Sequence, residues 1–342
     1  MFAMDLADSL GAMGEEVQTV ALVAGSQLPG LQVDVLGSRP RGFDTLRALR
    51  HRMSHSDITV AHGSSTAFAC SVAGGNKTHW VYRQISDTRF WADSLARRAR
   101  VHLYLKRASA IVALSEGAKT DLIEHLKLKD ASIHVVPNGV PQGAFVPATD
   151  QHRLDARKTL GLPEDGVLAL FVGALVPEKG ADVAIRALAH APSVTLVVAG
   201  GGPEYGSLTE LARTFPGRVF MLGVLEGIST AYTASDFVVL PSLGGDSMPA
   251  TLIEAGFCEL PAIATPVGSI AEIVVDGLTG VIVPCGNVQE LGDAMELMAS
   301  GGRSRSRLGS AARDRCQRLF EIDVVAGGWK SVLERSVAFG RT

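Results

Sequence analysis

Long apolar runs are missing from this chain of 342 residues. None reaches the roughly 18 residues needed to span a bilayer, and no basic-then-apolar leader opens it. Cysteine is scarce. Cys70, Cys258, Cys285 and Cys316 lie far apart with no CxxC spacing, so neither a zinc site nor a disulfide framework is expected, and a reducing compartment fits. A surplus of charge is also lacking: 32 basic against 35 acidic residues leave a net charge of -3, which argues against general nucleic-acid binding. The nine histidines include no HExxH, and no Ser-His-Asp order can be argued. These absences point to a cytoplasmic protein working without a metal. There is no internal repeat and no low-complexity tract.

What is present is glycine, 37 residues of it, and short apolar runs alternating with helical patterns. That alternation marks an α/β fold with parallel sheets. Strands are expected at Val17–Val23, Ile58–Ala61, Trp80–Tyr82, Ile111–Leu114 and Ile133–Val136. In the second half they are expected at Val167–Val172, Val194–Ala199, Val219–Leu222, Phe237–Leu240, Ala262–Thr265 and Val281–Val283. The runs lack polar alternation, as strands buried on both faces do. Phe2, Leu6 and Leu10 recur at helical spacing and predict a helix over residues 2–12. A doubly wound domain ordinarily begins with a strand, so the first strand of this one is expected to be absent. Pro141–Asp150 has linker composition. The expected division is an acceptor-side domain over 1–145, a nucleotide-sugar domain over 146–325, and a final helix over 326–342 returning to the first domain.

Several strand-end constellations could carry chemistry. Two carboxylates, Asp246 and Glu254, flank Ser247, Met248 and Pro249 after the glycine pair Gly244-Gly245. Pro249 suits the first turn of a helix, which puts Asp246 in a loop and Glu254 about two turns in. A helix start offers free backbone N–H groups and a partial positive charge to a phosphate, and a carboxylate offers paired acceptors to sugar hydroxyls. The competing account, a helix cap plus a surface glutamate, is about as good for this motif alone. Lys179, in Gly173-Ala174-Leu175-Val176-Pro177-Glu178-Lys179-Gly180, stands at a strand-to-helix turn on the carboxyl edge of a sheet, where ligands bind in such folds. A solvated turn lysine is the commoner fate. Gly200-Gly201-Gly202-Pro203 permits close approach of a ligand to backbone, but it is not GxGxxG and does not favour a redox dinucleotide site.

In the first half, His62-Gly63 and Tyr82-Arg83-Gln84-Ile85-Ser86-Asp87 leave strand ends. His62, Arg83 and Gln84 are acceptor-side candidates. Arg89–Arg107 reads as a basic amphipathic helix. It suits an anionic membrane surface or a phosphorylated acceptor, although packing of its apolar side on the sheet is the preferred account.

Taken together, these features resemble the retaining glycosyltransferases of family 4, with the GT-B architecture of two Rossmann-like doubly wound domains facing a cleft. The resemblance covers residues 5–335. It is carried by Phe171-Val172-Gly173 with Pro177 through Gly180, Val198 through Pro203, Leu222-Gly223, Asp236 with Leu240-Pro241-Ser242, and Pro249 through Ala255. Pro261, Ala264-Thr265, Val267-Gly268, Glu272 through Val274, Leu114-Ser115 and Val136 through Val140 extend it. It implies transfer of a hexosyl group from a UDP- or GDP-sugar to a glycan, lipid or small-molecule acceptor. Glu254 would hold the ribose, Asp246 the donor sugar and Lys179 the diphosphate. Gly173, Gly201, Leu222, Ser247, Met248 and Pro249 would line the donor, with no metal required. The chain departs from the family at Ala174, where an Arg is common, at Asp246, where a Glu is common, and after Tyr82, where a His is common. A catalytically impaired binding or scaffold partner is the alternative.

Overall fold

A computed structural model describes residues 2–24, 33–75, 78–85 and 92–339. It divides into two compact units, Met1–Gly139 with Ile322–Thr342, and Val140–Glu321. All paired strands run parallel.

In the first unit β1 (Val20–Val23) pairs with β2 (Asp34–Gly37). A four-stranded sheet has the order β3 (Thr59–His62), β4 (Trp80–Arg83), β5 (Ala110–Ala113), β6 (Ile133–Val135). Successive residues of a strand point to opposite faces, and both faces of β4 and β5 are covered. Trp80, Tyr82, Ile111 and Ala113 join one core with Leu49, Tyr104 and Leu122. Val81, Ala110 and Val112 join a second with Leu6, Leu10, Val325 and Trp329. Double burial is why these strands show no polar alternation. The second core is closed by the helices Phe2–Ala12 and Ile322–Phe339, joined by a hydrogen bond from Ser9 Oγ to Asp323 Oδ1 at 2.5 Å.

The second unit holds six strands: β7 (Val167–Val172), β8 (Val194–Ala199), β9 (Val219–Gly223), β10 (Phe237–Leu240), β11 (Ala262–Ala264) and β12 (Gly280–Ile282). Their order in the sheet is β9-β8-β7-β10-β11-β12. The chain therefore winds outward from β7 to one edge, returns, and winds outward from β10 to the other. The point of reversal lies between β7 and β10. There the connections leave in opposite directions, which is the place where such folds open a crevice at the carboxyl ends of the strands. Asp236, just before β10, ties the centre together. Its Oδ2 accepts from Leu168 N at 2.8 Å and from Arg157 Nη2 at 2.8 Å, and its Oδ1 from Arg153 Nη1 at 3.0 Å.

Three strands of this unit, β7, β8 and β10, have the bounds expected from sequence, and most others differ by a residue or two. The strand β2 was not anticipated. Its residues, Asp-Val-Leu-Gly, begin exposed and polar and show neither an apolar run nor alternation. The start of β1 shifts from Val17 to Val20 because Gln18 and Thr19 interrupt the run. The residues 141–150 hold a short 3-10 turn, Gln142–Ala144, and the first residue of the helix Asp150–Thr159. Of the basic segment, Leu95–Leu105 is helical with Val101, Tyr104 and Leu105 buried, and Leu95 and Leu103 exposed. Ser86, Asp87, Arg89, Phe90 and Trp91 lie outside the described residues. All four cysteines are free, and only Cys285 is exposed.

Candidate active site

The loops after β7 and β10, at the point of reversal, hold the two groups that the sequence singles out. After β7 the backbone extends to Val176, makes a 3-10 turn over Pro177–Lys179, and reverses at Gly180, φ 67°. A Cβ on Gly180 would lie 2.3 Å from the Pro241 carbonyl oxygen, so only glycine fits there. Leu243 N donates to Glu178 O at 2.7 Å. These two contacts bind the β7 loop to the β10 loop and bring Lys179 beside Asp246. Lys179 Nζ and Asp246 Oδ1 form an ion pair. The other carboxylate oxygen, Oδ2, accepts from Ser242 Oγ. Thr265 Oγ1 in turn donates to Ser242 O at 2.6 Å. The lysine side chain is 24% exposed and the aspartate 6%, so the cation faces outward over a nearly buried anion. Loop 265–269 closes the far side: Ser269 N donates to Ser247 O at 2.7 Å, and Gly268, φ 55°, passes so close to Asp246 O that a Cβ would reach within 1.9 Å.

Glu254 sits on the helix Ala250–Phe257 that follows. Two details of the expected geometry are corrected. Pro249 is the cap residue, at φ -70° and ψ 122°, and the helix begins one residue later, because the extended ψ of Pro249 precedes the first helical peptide. Glu254 consequently lies just over one turn into the helix, not two. Its Oε2 accepts from Tyr232 Oη at 2.7 Å. Burial raises its pKa above the ordinary glutamate range, partly offset by the tyrosine's hydrogen bond. Tyr232 is fully buried on the short helix Ser229–Ala234, edge-on to Phe145 with ring centres 5.7 Å apart.

The remaining donor-side candidates occupy neighbouring strand ends. Gly173 N donates to Ala199 O at 3.1 Å, and Leu175 N to Gly201 O at 2.9 Å, so the turns after β7 and β8 lie against each other. Met248 is buried. Leu222 is half-buried in the edge strand β9, two strands from β7. Ala174 is exposed on the β7 loop. In the first unit, His62 and Arg83 are the last residues of β3 and β4 and lie opposite each other in the ladder. Gln84, buried, follows at the sheet edge, its N–H donating to Val112 O at 3.0 Å. Arg83 also donates through Nη2 to Asn138 Oδ1. Burial is the main cause that lowers the His62 value to about 3, with the Arg83 charge second.

Ser242, Thr265, Tyr232 and Asn138 were not singled out as site residues from sequence. Ser242 had a signal, since it stands four residues before Asp246 at a strand end. Tyr232 had none, because a tyrosine among serine, threonine and alanine in a short helix carries no chemical mark. No group of three or more His, Cys, Asp or Glu side chains suited to a metal ion occurs among the described residues. No helix among them is long and apolar enough to cross a membrane.

Two family models match the chain: one described as Glycosyltransferase Family 4 over residues 1–142, and one described as Glycosyl transferases group 1 over residues 152–315. Among curated proteins, a D-inositol 3-phosphate glycosyltransferase of Corynebacterium aurimucosum is 29% identical over 77% of this chain and 63% of its own length. One of Jonesia denitrificans is 30% identical over 71% of this chain and 62% of its own. The chain thus spans somewhat under two thirds of these relatives. Among solved structures, Anabaena HepE in complex with UDP-glucose superposes with a TM-score of 0.80 at 21% identity, covering 89% of this chain and 86% of that one. Sucrose-phosphate synthase from Thermosynechococcus elongatus gives 0.81 at 20% identity, covering 100% and 93%.

Proposed function

The chain belongs to the family 4 type of glycosyltransferases with the GT-B fold, and from that premise we propose that it moves a hexosyl group from a UDP- or GDP-sugar to a glycan, lipid or small-molecule acceptor, with retention at the anomeric carbon. The observation that carries this reading is the Lys179–Asp246 pair at the reversal between β7 and β10, with Glu254 on the helix that leaves it. HepE, of the same fold, was solved with UDP-glucose, which supports a nucleotide-sugar donor here.

In this reading Lys179 swings its ammonium from Asp246 to the donor's diphosphate. The leaving group gains negative charge as the glycosidic bond breaks, so a cation held in place for it lowers the barrier. The start of the helix Ala250–Phe257 adds N–H groups and a positive dipole end. Those charges serve the step without a metal ion. Freed of the lysine, Asp246 keeps the Ser242 hydroxyl and turns its other oxygen to the donor sugar. Glu254 accepts hydrogen bonds from the ribose hydroxyls, while Tyr232 fixes its rotamer. Gly173, Gly201, Leu222, Ser247, Met248 and Pro249 line the donor, and His62, Arg83 and Gln84 the acceptor. The work is done in the cytoplasm, with the helix Leu95–Leu105 as the candidate for peripheral contact with the inner membrane face.

The test is a transfer and hydrolysis assay across UDP- and GDP-sugars with the wild type and Glu254→Ala. Turnover that needs Glu254 is the expected result, and turnover unchanged in the variant would overturn the site assignment. Ala174 favours a second reading, a binding or scaffold partner that keeps the fold without the chemistry, because the family's second diphosphate cation is missing from the exposed β7 loop. A melting point unmoved by millimolar UDP, GDP or ADP would select it, since a ligand bound only by the folded state must raise that temperature.

A further inference from the structure

Among the described residues, Arg83 is a buried cation without an anionic partner. The residue is only 6% exposed, and among the described residues no carboxylate meets its guanidinium. Its hydrogen-bond partners are neutral. Nη2 donates to the Asn138 side-chain oxygen, Nη1 lies 3.4 Å from His62 Nδ1, and Nε is buried without a partner. The Phe2 ring packs against it, Cζ lying over the ring at 3.7 Å from its centre. A guanidinium carries five donors in a fixed fork that matches a carboxylate or phosphate. Here the ring packs against the fork and the asparagine holds one of its donors. Removing a charge from water without pairing it is costly. The cost is visible in Arg83 itself, whose value burial lowers to about 9. Its neighbour His62 stays neutral and adds no second cation.

The position matches the chemistry. His62 and Arg83 end adjacent strands at the carboxyl edge of the first unit's parallel sheet, and Asn138 follows β6. That is the edge at which such sheets take ligands. Phe2, His62 and Asn138 are each half-buried, so the guanidinium lies one layer beneath a surface.

We infer that Arg83, aligned by Phe2 and Asn138, is the receptor for an anionic group, a carboxylate or a phosphate, carried by the acceptor substrate. That the anion belongs to the acceptor rests on the transfer reaction proposed above. The binding itself does not, and it is measured without any donor.

The experiment follows the Nε–H signal of Arg83 in the full chain labelled with 15N-arginine, assigned by its loss in Arg83→Met. It is titrated separately with inorganic phosphate, glucuronate and sodium chloride at matched ionic strength. A saturable shift with phosphate, with glucuronate or with both, beyond that in chloride, is expected. The effective probe identifies the source of the anion, a phosphate ester or a sugar carboxylate. A signal that answers all three salts alike overturns the inference. By titration calorimetry, which does not need the Arg83 signal, Arg83→Met should bind the effective probe roughly tenfold or more weakly than the wild type, as loss of a charged hydrogen-bond pair does. Its melting point in the absence of the probe should be kept or raised, because an unpaired buried charge has been removed. Affinity unchanged in that variant also overturns it. Failure to find transfer with any donor, beside a positive titration, would condemn the proposed reaction and leave the anion site standing.

Discussion

The two units place a cation at the carboxyl edge of a parallel sheet, and they treat it in opposite ways. In the second unit Lys179 is half-exposed and already paired with Asp246, whose other oxygen is held by Ser242. In the first, Arg83 is buried and, among the described residues, meets an amide, an imidazole and a ring but no carboxylate. A flexible ammonium can leave its partner cheaply when a diphosphate arrives, and until then the pair stays neutral. A rigid guanidinium cannot swing aside, so its surroundings must hold it ready at the cost of an unpaired charge. The difference teaches that pairing within the chain and readiness for a ligand are alternatives for a buried cation.

The largest test imposes the first unit's condition on the second. Asp236→Ala leaves Arg153, Arg157 and Arg305 without their carboxylate and Leu168 N without its acceptor. Removing one partner of a buried pair costs about 3–5 kcal/mol, readable by denaturant unfolding. A loss under about 1 kcal/mol would show that unpaired arginines are tolerated in both units and that nothing is special about Arg83. Next comes Lys179→Met, which keeps the stem and removes the charge. Transfer should fall roughly 10²–10³-fold in kcat, the range for loss of one preorganised charge-stabilising group. A change confined to KM would place the lysine in ground-state binding alone.

The third test uses pH. His62 titrates near 6.5 when unfolded and at about 3 when folded. Between those values the unfolded chain binds the extra proton, so stability falls as pH drops below 6.5 and keeps falling toward 3. Each unit of difference is worth about 1.4 kcal/mol, so His62→Gln should take up to about 1.4 kcal/mol per pH unit from the slope of the acid limb, a few kcal/mol over the whole window. An unchanged limb would mean that the first unit does not hold this histidine neutral. The smallest effect is expected of Tyr232→Phe. It removes one hydrogen bond to Glu254, worth about 1–2 kcal/mol, with little change in packing. Nucleotide affinity should drop about tenfold. Because Glu254 is raised above its ordinary value and works as an acceptor when ionised, affinity in the wild type should also weaken as pH falls through that raised value. Titration calorimetry across pH reads both.

Legibility from sequence followed chain separation. β7, β8 and β10 were readable to the residue because each is an apolar run, broken only by Thr195 in β8, and ended by glycine, proline or aspartate. β2 was not, because a short exposed pair of strands has no period to detect. Lys179 and Asp246 were legible as candidates from their places after β7 and β10. That they touch was not, since 67 residues separate them. Tyr232 was invisible for the same reason: its bond to Glu254 spans 22 residues between two helices that each look like plain core.

Local pattern by itself determined the α/β alternation, the doubly covered strands, the acidic pair and the glycine turns, because side-chain period and backbone permissiveness act within a few residues. The tertiary structure alone decided which charges meet. It brought Asp246 onto Lys179 and Asp236 onto three arginines, and left Arg83 facing Asn138 and Phe2. Coulomb energy and desolvation depend on distance and burial in three dimensions, and neither quantity is written in the order of the residues.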